Sequence, residues 1–269
     1  MQSIQYQRMP GIAYAVAGPA NGPTVIFLHG IGGNKTNWLE QLRFFATHGY
    51  RAVAWDARGY GDSDDYDGPF DFAEVAGDLQ RLVLDLNVDK AHFVGLSMGG
   101  RILMDFANRY PERLQSLTLC AAFPSFNKAL SPEQREDFLR LRQAPLLAGQ
   151  SFAELAPELV HSLTGPKASS AVQTQLHDSI CALRKASYLK ALAAASAFDR
   201  TEEIQRISAP TLLLYGEDDR LTPPAMGHEV AALMPHAEFT VLPGCGHLMN
   251  LECPDAFNER LLAFLSHVN

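Results

Sequence analysis

Cysteine is scarce: four residues, Cys120, Cys181, Cys245 and Cys253, too few and too irregularly spaced for a disulfide framework or a zinc cluster. Reduced thiols in a cytoplasmic setting are the expectation. Basic charge is also in deficit, with 22 Lys and Arg against 30 Asp and Glu, a formal net charge of −8, and no basic run to offset it. Phosphate backbones require a basic face, so nucleic acid is excluded as a partner. No apolar run approaches the ~18 residues of a membrane span, so no membrane association is expected. Residues 1–10 lack the basic start and apolar centre of a secretory leader, and none is expected there. Internal repeats and low-complexity tracts are missing as well. At 47% hydrophobic and 19% charged over 269 residues, the chain suits one large globular domain with room for an insertion.

What is present is alternation. Short, nearly continuous apolar runs occur at Thr24–Leu28, Tyr50–Trp55, Ala91–Leu96, Ser116–Cys120, Thr211–Tyr215 and Glu238–Leu242. Unbroken hydrophobicity marks parallel strands covered on both faces. Between them lie helix-length segments at Trp38–His48, Phe72–Leu86, Met98–Tyr110, Pro224–Met234 and Pro254–His267. This order predicts an α/β fold with a mostly parallel sheet. Ile4–Arg8 and Ile12–Ala17, flanking Met9-Pro10-Gly11, read as an antiparallel hairpin at the sheet edge.

The rhythm breaks over residues 122–197, where no strand run occurs. Ser131–Gln143 opens with a capping-box pattern, Ser131 and Gln134, and the Ala- and Leu-rich Ala168–Ala197 is a strong helix former. The expectation is a core of residues 1–121 and 198–269 with a helical cap of residues 122–197 inserted between strands. Ligands of open α/β sheets bind at the carboxyl ends of the strands, so such a cap would roof a pocket.

Gly95-Leu96-Ser97-Met98-Gly99-Gly100 follows a strand run and precedes a helical segment. That context makes G-x-S-x-G a candidate nucleophile elbow: a tight turn lifts Ser97 to a helix N-terminus, and side chains at 95 or 99 would collide with neighbouring backbone. A serine nucleophile needs a base. His247, in the Gly-rich loop after the last strand run, lies on the same rim, whereas seven other histidines fall within helices or at element ends. His29, directly after Thr24–Leu28, is also on the rim and is read as shaping the adjoining loop. The orienting carboxylate is sought in Glu217-Asp218-Asp219, immediately after Thr211–Tyr215. The chain order Ser, acid, His belongs to one known fold with this chemistry.

Four separated blocks carry a resemblance to the α/β-hydrolase fold family, extending from about Gln5 to Leu265. They are His29-Gly30-Ile31-Gly32-Gly33 with Trp38; Asp56 to Ser63; Gly95 to Gly100; and Gly216 through Pro223, followed by Gly246-His247 with Glu252 and Pro254. The resemblance implies an eight-stranded, mostly parallel sheet flanked by helices. It makes Ser97 the nucleophile, His247 the general base and then acid, and Asp219 the orienting carboxylate. Asp219 sits where the family pattern of Gly, two residues, Asp, three residues, Pro lands from Gly216, which leaves Asp218 as a turn residue. The backbone N–H groups of Ile31 and Met98 would form an oxyanion hole. Trp38, Phe123, Phe126 and Leu248 are expected to bind substrate, with one of Arg135, Arg140, Arg142, Arg184 or Lys185 facing inward if that substrate carries a carboxylate. No metal or organic cofactor is called for.

Ala91 to Gly100 with Arg109-Tyr110-Pro111-Glu112-Arg113-Leu114 is most similar to the 3-oxoadipate enol-lactonase branch, while His29-Gly30 has the general esterase form. A small-molecule carboxylic ester or lactone is the implied substrate, and the oligomeric state is left open. Three alternatives stand beside it: a C–C bond hydrolase of ring-fission products, a cofactor-free perhydrolase or haloperoxidase, and a slow-turnover ligand receptor on the same scaffold. Leu96, where C–C hydrolases often carry Asn, speaks against the first. Haloalkane dehalogenases are excluded because they require a carboxylate at position 97.

Overall fold

A computed structural model describes residues 2–5 and 10–268. The strands are β1 (Gln2–Gln5), β2 (Ala13–Ala17), β3 (Thr24–Leu28), β4 (Arg51–Trp55), β5 (Ala91–Leu96), β6 (Leu114–Cys120), β7 (Thr211–Gly216) and β8 (Glu238–Leu242). They form one eight-stranded sheet in the order β1-β2-β4-β3-β5-β6-β7-β8, antiparallel at β1/β2 and β2/β4 and parallel from β4 to β8. The expected edge hairpin exists, but its first strand begins two residues earlier and pairs Gln2 with Val16. The predicted stretch Tyr6–Arg8 and the turn at Met9 lie outside the described residues.

The helices are α1 (Leu39–Thr47), α2 (Phe72–Asp85), α3 (Met98–Arg109), α4 (Phe126–Ala129), α5 (Pro132–Leu147), α6 (Phe152–Leu163), α7 (Ser170–Cys181), α8 (Lys185–Ala197), α9 (Pro224–Leu233), α10 (Met249–Glu252) and α11 (Pro254–His267). Strand residues alternate between two cores, as pleating requires. Ile26, Leu28, Val53 and Trp55 face α2 and α3. Val25, Phe27, Ala52 and Ala54 face α1 and α11. Both faces are thereby sealed, which explains why β3, β4 and β5 read as continuous hydrophobe.

From β3 the chain runs outward through α1 to β4, then returns through α2 to β5 on the other side of β3. The order therefore reverses at the β3/β5 junction, where open α/β sheets leave a crevice at the strand carboxyl ends. His29-Gly30-Ile31 follow β3 and Ser97 follows β5, so both flank that crevice.

Helices α4 to α8 occupy the interval between β6 and β7. Ser131 and Ser151 cap α5 and α6 with reciprocal boxes to Gln134 and Glu154. The Ala-rich stretch is two helices rather than one, broken at Ala182–Arg184, and the break brings Leu183 into a cavity wall. Polar pins attach these helices to the rest of the chain. The Ser179 hydroxyl accepts from the side-chain amides of Asn34 (3.2 Å) and Asn37 (3.1 Å), and Arg184 pairs with Asp65 at 2.7 Å. No helix among the described residues is long and apolar enough to cross a membrane.

Candidate active site

Ser97 is the residue between β5 and α3, with φ 53° and ψ −109°. A non-glycine residue pays about 1–3 kcal/mol for such a backbone and keeps it only where its surroundings dictate it. Here they do. The Ser97 N–H donates to the Cys120 carbonyl (2.9 Å) and its own carbonyl accepts from Arg101 (3.1 Å). A Cβ at Gly95 would lie 2.5 Å from the Gly99 carbonyl carbon, and one at Gly99 would run into the Leu28 carbonyl. Only glycine lets β3, β5 and the start of α3 approach this closely. A serine preceding a helix ordinarily caps it with its hydroxyl; at this dihedral Ser97 makes no such bond.

His247 and Asp219 meet on the same rim, Asp219 from the loop after β7 and His247 from the loop after β8. The Nδ1 of His247 lies 2.8 Å from Asp219 Oδ2, both side chains nearly sealed from solvent. Asp219 Oδ1 accepts from the backbone N–H of Leu221 (2.8 Å) and Thr222 (2.9 Å), and Oδ2 also accepts from the Thr222 hydroxyl at 2.5 Å. Burial alone would raise the Asp219 pKa, but the electrostatic interaction with His247 and the hydrogen bonds from His247 and Thr222 outweigh it and hold the pKa below the usual value. Asp218 contributes a backbone N–H to the Cys245 carbonyl (2.8 Å), and Glu217 accepts from the Gly244 N–H (3.0 Å). Of the three acids, Asp219 is the one that meets the histidine.

His29 is fully occupied by backbone. Its Nδ1 lies 2.8 Å from the Gly30 carbonyl, and its Nε2 accepts the Ala57 N–H at 3.1 Å. Burial lowers its pKa more than the neighbouring Asp56 raises it, so the ring is held neutral. The Asp56–Ser63 block is likewise internal wiring: Asp56 accepts from the Lys35 N–H and Nζ and from the Asp62 N–H, at 2.6 to 2.9 Å.

Two chambers meet at Ser97. The larger is bounded by Met98, Phe123, Phe126, Leu183 and Leu192. The smaller is bounded by Trp38, Leu96, Leu176, His247 and Leu248. Ile31, Gly32, Ser97, Leu163 and Leu221 line both. Phe123 and Phe126 line the larger cavity with Ser97, and Trp38 and Leu248 line the smaller one with it, so all four expected substrate-binding residues border a cavity that Ser97 shares. Trp38, fully buried, stacks on Phe27 with ring centroids 5.0 Å apart.

A family model described as the alpha/beta hydrolase fold matches residues 23–254. The chain is an α/β hydrolase. It is similar to 3-oxoadipate enol-lactonase 2 of Acinetobacter baylyi, 28% identical over 95% of this chain and 93% of that one. It is similar also to a 2-hydroxy-6-oxononadienedioate/2-hydroxy-6-oxononatrienedioate hydrolase of Paraburkholderia phymatum, 31% identical over 91% and 88%. Among solved structures, a hydrolase from Pseudomonas aeruginosa superposes with a TM-score of 0.87 at 28% identity, covering 98% of both chains.

Three features of this α/β hydrolase's site escape sequence reasoning. Thr222 joins the His247–Asp219 pair, its hydroxyl 3.1 Å from His247 Nδ1. Glu252, which the sequence marks only as a member of a motif block, accepts from the N–H groups of Gly165 (2.8 Å), Gly246 (3.0 Å) and Leu248 (3.1 Å), tying the histidine loop to the turn after α6. Arg101, one turn after Ser97, lines the larger chamber. Of the five basic residues expected to offer an inward-facing charge, Arg142 does so. The others are engaged elsewhere: Arg140 with Asp137, Arg184 with Asp65, Arg135 with Asn127, and Lys185 with the Leu146 carbonyl.

Proposed function

We propose that this hydrolase cleaves a carboxylic ester or lactone through an acyl-enzyme on Ser97. The observation that carries the reading is a His247–Asp219 pair 2.8 Å apart whose imidazole opens on the chamber that Ser97 also lines. Neutral His247 takes the Ser97 proton as the oxygen attacks the carbonyl. Asp219 holds the imidazole in the tautomer that presents a bare Nε2, and stabilises the imidazolium once it forms. The tetrahedral oxyanion is received by the backbone N–H groups of Ile31 and Met98, both at the mouth of the crevice, and loss of one such donor costs about 3–4 kcal/mol. His247 then protonates the departing alcohol and activates the water that releases the acid. In this scheme the proton that leaves with the alcohol comes from Ser97 and is restored from water through His247, with no cofactor called for.

In this reading residues 122–197 are a cap over a core of residues 1–121 and 198–269. The cap supplies Phe123, Phe126, Leu183 and Leu192 to the larger chamber, and the core supplies Trp38 and Leu248 to the smaller. Leu96, fully buried at the end of β5 and lining the smaller chamber, offers no hydrogen-bonding group to a ring-fission product there; this favours ester or lactone over C–C cleavage.

The test is covalent labelling. A serine-directed fluorophosphonate should add one adduct to the peptide carrying Gly95–Gly100, and Ser97→Ala should remove both the adduct and release of 4-nitrophenol from a short-chain ester. An adduct elsewhere with Ser97 untouched overturns the assignment. Labelling without multiple turnovers would instead identify a slow receptor on this scaffold.

A further inference from the structure

The fold pairs its other deeply buried cations with acids. Lys35 is held between Asp56 and Asp62, each at 2.6 Å, and Arg58 is held by Asp78 at 2.6 Å with Glu74 beside it. Arg101 breaks this pattern. It is only 5% exposed, and its one polar contact among the described residues is a long bond from Nε to the Phe123 carbonyl, 3.4 Å. Its guanidinium carbon sits 4.5 Å from the Phe123 ring centre and 4.4 Å from that of Phe126, while the two ring centres are 5.0 Å apart. Those three separations make a nearly equilateral triangle. The rings therefore form a corner on one side of the cation and do not sandwich it.

Arg142 repeats the arrangement. Its guanidinium carbon lies 4.0 Å over Phe138, whose ring is 5.0 Å from Phe126, and its hydrogen bond is to the Phe138 carbonyl at 3.4 Å. Among the described residues neither arginine has a carboxylate within ion-pair distance, although Glu158 acts on Arg142 through space, and both line the larger chamber with Ser97. Cation–π attraction offsets part of the desolvation of such a charge, but an unpaired buried guanidinium retains a planar fork of donors matched to a carboxylate. Burial pulls the Arg101 pKa down to about 9, which still leaves it charged at neutral pH. The Arg101 N–H bonds the Ser97 carbonyl, so Arg101 sits one turn into α3 from the nucleophile, about 6 Å along the axis.

We propose that Arg101, assisted by Arg142, binds a free carboxylate on the acyl part of the substrate, making half-esters of short dicarboxylic acids the preferred class. The proposal rests on the acyl-enzyme reading of Ser97 and adds to it a specificity determinant on the helix that follows the nucleophile. A carboxylate entering the larger chamber completes the ion pair that the folded chain leaves open, and so fixes which end of the substrate faces Ser97.

The test compares 4-nitrophenyl hydrogen adipate with 4-nitrophenyl methyl adipate, the same chain with its charge masked. The wild type is expected to favour the half-ester by at least about tenfold in kcat/KM, since a site built for a polar group discriminates against its masked analogue. Arg101→Met should abolish that preference mainly through the KM of the half-ester, and free adipate should inhibit the wild type competitively and the variant weakly. Arg101→Gln is made alongside, so the outcome does not depend on one variant's folding. Equal efficiency on the two esters, or a preference that survives both substitutions, overturns the carboxylate site while leaving the ester reading intact. Release from neither ester overturns the ester reading instead; calorimetric binding of adipate to the wild type, lost in Arg101→Met, would then still support the carboxylate site, and no binding would overturn it.

Discussion

At the scale of single residues, adjacent acids take different tasks. Asp219→Asn should lower kcat by a factor approaching the ~10⁴ seen for this change in serine proteases, because an amide can hold the wrong imidazole tautomer. Asp218→Asn, whose backbone N–H still reaches the Cys245 carbonyl, should cost under about tenfold, as surface turn changes do. Steady-state kinetics on one ester decide between them, and exchanged outcomes would move the role to Asp218. His29 yields a prediction about pH. Folding lowers its pKa, so the unfolded chain takes up the proton first, and that difference works against the native state. The stability associated with neutral His29 is complete above about pH 6.5 and is lost as pH falls below it. Urea unfolding at pH 8 and pH 5 should show a smaller decline for His29→Asn than for the wild type. At pH 8 the variant should be the less stable of the two, by about 1–3 kcal/mol, because the Ala57 N–H loses its acceptor.

At the scale of elements, the junction of β3, β5 and α3 leaves no room for a methyl group. Gly99→Ala must push the Leu28 carbonyl aside, and overpacking of this kind costs about 1–3 kcal/mol; thermal unfolding should show the loss, accompanied by reduced Ser97 labelling as the turn shifts. The same crowding explains what could be read in advance. Strands β3, β5 and β8 coincide with their apolar runs because each run is bounded by Gly, Pro, Asp or a polar turn, and the motif spacing follows from steric limits that hold in any sequence. Other features leave no such trace. Arg101 reads as an ordinary helical cation, since nothing local indicates that Phe123 and Phe126, more than twenty residues on, will pack against it. The interruption of the Ala-rich stretch at Ala182–Arg184 is set by Leu183 packing inward, a tertiary demand that helix propensity does not register. Thr222 and Glu252 depend equally on loops that meet only after folding.

At the scale of the whole molecule, the helices between β6 and β7 share both cores: Ala191 and Ala195 join the α2/α3 side, while Tyr188 and Leu192 join the α1/α11 side. Changes to their inward faces should therefore alter selectivity. Leu192→Trp, which adds an indole to the larger chamber, should shift acyl preference toward shorter chains, seen as a change in relative kcat/KM along a homologous ester series; equal losses on every ester would indicate a purely structural role. The division of space around Ser97 carries a consequence of its own. On the acyl-enzyme reading proposed above, two cavities sharing Ser97 should let an alcohol enter where the first leaving group departed without displacing the acyl chain. Water should then have a competitor, and product analysis should show the partition between acid and new ester rising linearly with added alcohol. Reshaping the wall at Leu248 should change which alcohols are accepted, and reshaping it at Leu192 which acids, giving two independently adjustable selectivities for synthesis.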